Sequence, residues 1–346
     1  MNNFKQFLRY IGKYSKYIDY PLVVTYVILC LTSIIMVYSA SMVAATKGTL
    51  TNGTPVSGTY FYTRQLLYVI VSMGLVFFMA FFMNVKILQT LKFQKIMMLV
   101  MVGLLVATLL IGSNINGSKS WIHLGFMNLQ ASEFLKIALV LYLSFMIEKK
   151  RPRVFREPKV LMSPLILTGI CVALVLLQRD VGQTLLILMV VFAVILYAGV
   201  GIEKILKYGF IILFGIVLVG GLFLLLGAFP DYLAARFSTF TNPFNSESGT
   251  GYHVSNSLLA IGNGGLLGRG LGNSVLKLGY LPEPHTDFIF AIICEELGLI
   301  GGLFVICLLF FIVYKAFVLA NKTTSYFYKL VCVGVASYIG SQTFVN

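Results

Sequence analysis

Nine stretches of apolar residues recur along the chain, separated by short polar breaks. They cover about 20–42, 64–84, 95–112, 132–148, 163–178, 181–200, 205–229, 286–320 and 325–345. A helix rises about 1.5 Å per residue, so about 20 apolar residues cross a hydrocarbon layer roughly 30 Å thick. Each stretch is therefore read as a membrane-spanning helix. The eighth is long enough to include an interfacial turn. The fifth and sixth are short and meet at Gln178-Arg179-Asp180, a tight polar hairpin. The pattern predicts an all-α polytopic membrane protein of about nine transmembrane helices, forming one integral membrane domain over 1–346.

Composition narrows the class. Hydrophobic residues make up 58% of the 346 positions and charged residues 11%, against about 25% charged in an ordinary soluble domain. The mean hydropathy is +0.91. A soluble globule and a disordered chain are both excluded. The five cysteines, Cys30, Cys171, Cys294, Cys307 and Cys332, lie inside apolar runs and are odd in number. They read as small buried residues without a disulfide framework. The basic stretch 1–19 is too long and too charged for a signal-peptide n-region, so the first span reads as a retained anchor.

The net charge of +14 takes its meaning from where the charges fall. Basic residues cluster before the first span (Lys5, Arg9, Lys13, Lys16) and after the second (Lys86, Lys92, Lys95). They cluster again after the fourth (Lys149, Lys150, Arg151, Arg153, Arg156, Lys159), after the sixth (Lys204, Lys207) and between the last two (Lys315, Lys322, Lys329). With nine spans all of these lie on one side, which the positive-inside rule makes cytoplasmic. The N-terminus 1–19 is then cytoplasmic. Anionic lipid headgroups account for the basic excess, and no nucleic acid partner is expected.

One connection is long. It runs over about 230–285 on the outer side, between spans seven and eight, and holds nine glycines from Gly249 to Gly279. Long connections carry function or disorder, and this one is too apolar and aromatic for disorder. A loop that merely caps the bundle is the plainer alternative. It ends at Asp287, at the mouth of the eighth span. A carboxylate in such surroundings is a candidate general base. An N-cap at Thr286 or Asp287 is the structural alternative. Glu133 and Lys136 share a helix face at i, i+3 and can pair, as a structural ion pair or as a wall of a headgroup site. Lys119, Arg269 and Lys277 are outer-side cations able to meet a phosphate. Glu295 and Glu296, about two turns into the eighth span, need partners or water. The three histidines, His123, His253 and His285, are too scattered for a metal cage. Nothing resembles a glycine-rich phosphate cradle on the cytoplasmic side, so nucleotide-driven transport is not expected.

Several of these segments together resemble the SEDS family, the FtsW, RodA and SpoVE proteins of bacterial wall synthesis. Gly251-Tyr252, Leu258 to Gly262, Gly268-Arg269-Gly270-Leu271-Gly272-Asn273-Ser274 and Lys277 to Glu283 follow its loop signature. His285 to Ala291 and Glu295-Glu296-Leu297-Gly298 continue it. Tyr38-Ser39-Ala40-Ser41, Trp121-Ile122, Leu129 to Glu133 with Lys136, and Gln178 to Thr184 are similar too. The wording from Lys277 to Phe290 is closer to the division branch, and the overall look is that of a Gram-positive coccus. His253 stands where the family commonly has Gln, Ser120 where it has Arg, and Arg179 where it has Pro. The family has ten spans; the tenth has no counterpart here, so the chain reads as truncated at its C-terminus.

The resemblance implies a peptidoglycan glycosyltransferase that polymerises lipid II at the outer face of the cytoplasmic membrane, for septal wall synthesis in cell division. The acceptor's GlcNAc 4-OH attacks C1 of the donor MurNAc, with inversion, and undecaprenyl diphosphate departs. By the family motif Asp287 is the general base. Arg269, Lys277 and Lys119 would contact the diphosphate, Glu133 and Lys136 would shape the cavity, and Glu283 and His285 would lie against the substrate. A divalent cation, Mg²⁺ or Mn²⁺, is implied as an assistant, its ligands unassigned. The implied partners are lipid II, a class B penicillin-binding protein transpeptidase and other divisome proteins. The alternatives are a lipid II flippase, which also wants a headgroup cavity but needs no outer-face base, and a non-enzymatic divisome scaffold that recruits the transpeptidase and would tolerate loss of Asp287.

Overall fold

The structure, a computed structural model, describes residues 12, 15–51, 53–115, 118–125, 128–154, 158–199 and 250–345. The expected seventh span, 205–229, lies outside the described residues, as do 1–11 and the stretch 230–249 of the long loop. The rest is mostly helical. Among the described residues, four helices are long and apolar enough to cross a membrane: α1 (Tyr20–Thr46), α2 (Tyr60–Phe82), α3 (Leu91–Ile111) and α8 (Ile289–Lys322). Between them lie α4 (Ala131–Val154), α5 (Met162–Leu177), α6 (Val181–Tyr197) and α7 (Thr250–Gly264); α9 (Tyr326–Val345) closes the chain. Each expected span that falls on described residues coincides with one of these helices, to within a few residues.

Helix starts follow local chemistry. The Asp19 carboxylate accepts from Leu22 N at 3.3 Å, just before Pro21 in the first turn of α1. Thr90 and Asp180 do the same for α3 and α6. Such side chains satisfy N–H groups that a helix cannot pair internally.

Two features depart from the apolar pattern. The first is a small antiparallel sheet, β1 (Ser113–Ile115), β2 (Ser118–His123) and β3 (Asn128–Gln130), in the order β1-β2-β3. Trp121 sits in register with Ser113 on one side and Gln130 on the other. Strands this short carry too few residues for a period of two to show. The sheet docks on the predicted polar hairpin, where Lys119 N donates to Gln178 O at 2.9 Å. The second is α7, which turns the middle of the expected long loop, 250–264, into a helix.

The described residues fall into two compact units. One lies within Met1–Met83 and Phe229–Ile312, the other within Asn84–Ala228 and Val313–Asn346. The first packs Met36 and Ala40 of α1 with Ala260 of α7, Leu276, Leu281 and Ile292. The second packs α3, α4, α5, α6 and α9 around Leu105, Leu139, Val172, Ile187, Val194 and Leu330. There α9 approaches α4 closely at Gly334, where a Cβ would strike the side chain of Val140. Small residues of this kind let membrane helices meet backbone to backbone.

Candidate active site

The first unit is organised by a break in α8. Gly298 has φ 71° and ψ −172°, a conformation open essentially to glycine alone. In an unbroken helix the N–H groups of Leu299 and Ile300 would pair with the carbonyls of Glu295 and Glu296. The loop after α7 takes all four groups instead. Arg269 N donates to Glu295 O at 3.0 Å and Gly270 N to Glu296 O at 2.9 Å. Leu299 N donates to Gly265 O at 2.9 Å and Ile300 N to Leu266 O at 3.3 Å. A broken helix is tolerable at membrane depth only when its freed backbone groups are paired in this way. The approach leaves no room for side chains. A Cβ on Gly268 would strike Glu296 O, and one on Gly298 would strike Gly268 N and Leu266 O.

The two glutamates before the break then seize the rest of the loop. Both side chains are wholly buried. The Glu295 carboxylate accepts from Ser274 Oγ at 2.5 Å, from Val275 N at 3.0 Å and from Leu276 N at 3.4 Å. It thereby caps a short 3-10 turn, Leu276–Leu278. Arg269 Nη1 stands 3.5 Å from it, with the Arg269 side chain still 42% exposed. The Glu296 carboxylate pairs with Lys277 Nζ at 2.6 Å and accepts from Ser39 Oγ of α1 at 2.7 and 2.8 Å.

Lys277 therefore differs from the expected outer-side cation. Its side chain is 4% exposed. Its ammonium donates to Glu296, to Gly272 O at 2.8 Å and to Ser39 Oγ at 3.1 Å, and an ammonium has three N–H bonds to give. No donor is left for a diphosphate. Arg269 keeps an exposed guanidinium.

Asp287 lies at the foot of α8, two residues before its first turn. It is exposed and, among the described residues, has no hydrogen bond. Capping is thus not its role, nor that of Thr286, whose hydroxyl bonds back to Glu283. Glu283 holds φ 46° between two prolines, an unusual left-handed conformation for a residue with a side chain. Its carboxyl is raised above the ordinary range, first by partial burial, then by the charge of Asp287, against a lowering bond from Thr286. His285 packs on the Phe61 ring, centroids 4.3 Å apart, with its side chain 9% exposed. Its Nδ1 is 3.9 Å from Glu283 Oε2. Burial lowers its pKa more than the Asp287 charge raises it, so the ring is neutral at neutral pH. His253 packs near Phe288, ring centroids 6.4 Å apart, and its buried Nδ1 has no partner.

The second unit holds a separate polar cluster. Lys136, fully buried, donates to Glu133 Oε1 at 2.9 Å and lies 4.8 Å from the Tyr338 ring centroid. Gln183 Nε2 donates to the same oxygen at 2.7 Å, and Tyr338 OH to Glu133 Oε2 at 2.9 Å. Asp180, the cap of α6, accepts from Gln130 Nε2 at 3.0 Å. Lys119, at the sheet, donates to Leu110 O at 3.0 Å. The expected site residues thus form two groups. Arg269, Lys277, Glu283, His285 and Asp287 belong to the first unit, and Lys119, Glu133 and Lys136 to the second. Ser39, Ser274, Gln183 and Tyr338 join these clusters without having been assigned roles. The first three fall in motif segments; the only sign of Tyr338 is a hydroxyl inside an apolar run.

These features define a polytopic helical membrane protein in which a glycine-rich loop is laced into a broken helix beneath an exposed carboxylate. Residues 20–346 match the FtsW/RodA/SpoVE family of cell cycle proteins. Among curated relatives, the probable peptidoglycan glycosyltransferase FtsW of Bacillus subtilis (strain 168) is 36% identical over 344 residues, covering 96% of this chain and 82% of the relative. The protein of the same name from Enterococcus hirae is 34% identical over 345 residues, covering 96% and 83%. In fold, the chain is similar to the crystal structure of the rod shape determining protein RodA of Thermus thermophilus, with TM-score 0.59, 23% identity, and coverage of 94% and 83%. A chain of a peptidoglycan synthase complex is similar too, with TM-score 0.68, 22% identity, and coverage of 94% and 84%. The chain belongs to the FtsW/RodA/SpoVE family.

Proposed function

We propose that the chain is a peptidoglycan glycosyltransferase that polymerises lipid II for septal wall synthesis. Its family supports this, as do relatives named peptidoglycan glycosyltransferase FtsW. The observation that carries the mechanism is Asp287: an exposed carboxylate with no hydrogen bond among the described residues, at the foot of α8. Transfer of a sugar from a diphosphate with inversion needs one base at the attacking hydroxyl and positive charge at the departing diphosphate. Asp287 takes the proton of the GlcNAc 4-OH of lipid II as it attacks C1 of the growing chain. Arg269, whose guanidinium stays partly exposed, is the proposed cation for the diphosphate. Glu283 and His285, beside Asp287, hold the acceptor sugar, and Glu133 with Lys136 shapes a headgroup wall. The basic-residue pattern supports a cytoplasmic N-terminus and an outer-face site.

Among the described residues no three His, Cys, Asp or Glu side chains come together to hold a metal. A divalent cation, Mg²⁺ or Mn²⁺, is therefore proposed only as a companion of the diphosphate, and no step is assigned to it. The proposed partner is a class B penicillin-binding protein that cross-links the new glycan, within a set of other division proteins. A peptidoglycan synthase complex among the structural relatives supports such a pairing.

The test is polymerisation of labelled lipid II by the purified protein with its transpeptidase partner, read as a glycan ladder on a gel. A ladder from the parent that Asp287→Asn lowers by about 10²–10⁴-fold supports the transferase and its base. A ladder that survives Asp287→Asn removes Asp287 from that role. No ladder from the parent turns the reading toward lipid transport or scaffolding.

A further inference from the structure

Lys277 and Glu296 form a contact of 2.6 Å between residues at the two ends of the segment 277–296. That contact closes the segment into a ring. Inside it lie Glu283, His285 and Asp287, all the groups of the first unit proposed to touch the acceptor. The ring is tied to a third element, because Ser39 of α1 donates to Glu296 and accepts from Lys277. Next to it Glu295 caps the 3-10 turn that follows Ser274, and the Gly298 break binds the loop backbone. The exposed carboxylate thus stands on a segment pinned at both ends.

A buried ion pair is not needed for stability as such, since apolar residues of similar volume commonly serve as well or better. What it adds is a specific register, which a non-directional apolar contact specifies less sharply. Fixing the base relative to the attacking hydroxyl is where such register matters, because misplacement by about 1 Å can lower a rate by about 10²-fold. We infer that Lys277 and Glu296 are positioning residues for Asp287: their buried ion pair closes the acceptor-side segment and holds the base in place. This rests on the glycosyltransferase reading of the site.

Three proteins test it: the parent, Lys277→Met with Glu296→Met together, and Ser39→Ala. The double variant removes both charges, so neither is left buried and unpaired. Each protein is measured for thermal unfolding, for hydrogen exchange of the backbone over 280–288, and for glycan polymerisation. The expectation is an unfolding temperature close to the parent's, exchange over 280–288 faster by about tenfold, and kcat lower by about tenfold or more with KM within about threefold. Ser39→Ala, which removes one tie without leaving a buried charge alone, moves exchange and kcat the same way by a smaller factor. Should the double variant not fold, Ser39→Ala decides by itself. Exchange over 280–288 at the parent's rate, or faster exchange with unchanged kcat, overturns the inference. If the parent itself makes no glycan, the glycosyltransferase reading fails, and the exchange arm still judges whether the ion pair holds the segment.

Discussion

Among the described residues each unit has one lysine–glutamate pair with a buried lysine, and the two pairs are built differently. Lys136 and Glu133 stand three residues apart on α4, where helix geometry alone brings them together. Gln183 of α6 and Tyr338 of α9 then add donors to a carboxylate that remains 31% exposed. Lys277 and Glu296 come from a loop and from the interior of α8, and no local rule pairs them. Both ends are buried, the third partner is Ser39 far back in the chain, and the pair lies against a helix break. The local pair tolerates an open side because its geometry is already set. The distant pair lies where the loop backbone is itself paired, group by group, with the broken helix.

The largest effect should come from the break itself. Gly298→Ala places a methyl against the loop backbone in a conformation that alanine avoids. It should leave little folded protein, measured as the yield of a monodisperse peak in detergent. Normal yield would mean that the loop is not laced into α8 as described.

Next come the ion pairs. Glu296→Leu leaves Lys277 buried without its partner and should destabilise by about 3–5 kcal/mol. Glu133→Leu leaves the fully buried Lys136 with only the Tyr338 ring and should likewise destabilise by about 3–5 kcal/mol. Denaturant or thermal unfolding of the two variants side by side reads both losses; a loss below about 1 kcal/mol in either would show that its lysine is not left buried and unpaired. A finer cut is Tyr338→Phe, which keeps the ring over Lys136 but removes the hydrogen bond to Glu133. It should lower stability by about 1.5 kcal/mol, and no change would show that the hydroxyl contributes nothing to the cluster.

The smallest effects concern the groups around Asp287, and their sign follows from their protonation. The Glu283 carboxyl is raised, so the folded state favours its protonated form. Its contribution to stability is present at low pH and is lost as pH rises through the raised value. Glu283→Gln should therefore raise the unfolding temperature slightly at pH 8 and leave it unchanged near pH 4. His285 is shifted the other way. Its contribution is present above the ordinary histidine value and is lost as pH falls through the lowered one. His285→Phe should make the unfolding temperature less sensitive to acid as pH falls below about 6.5. Curves that move in the opposite direction would contradict the surroundings described for these two side chains.

Much of this was legible in the sequence because the bilayer imposes a simple pattern. Eight of the nine predicted spans fall on helices at nearly the predicted positions, and the Gln178–Asp180 hairpin is where the polar break placed it. The Glu133–Lys136 pair was legible for the same reason, since i, i+3 spacing is a property of one helix. The β1–β3 sheet and α7 were not, because short strands and a glycine-containing helix leave no long apolar period. Lys277 reads as an outer-side cation in the sequence, whereas the fold buries its side chain against Glu296. Its position in a polar loop looks exposed until the loop is folded against α8.

The sequence by itself determined the class of the protein, its spans and its family, because those rest on length, hydropathy and contiguous motifs. It also marked Asp287 and the need of Glu295 and Glu296 for partners. Which partners they find was decided only by the tertiary structure. Backbone groups freed at Gly298 must be satisfied within the membrane, and only the folded loop brings the matching N–H and C=O groups, and with them Lys277, to that point.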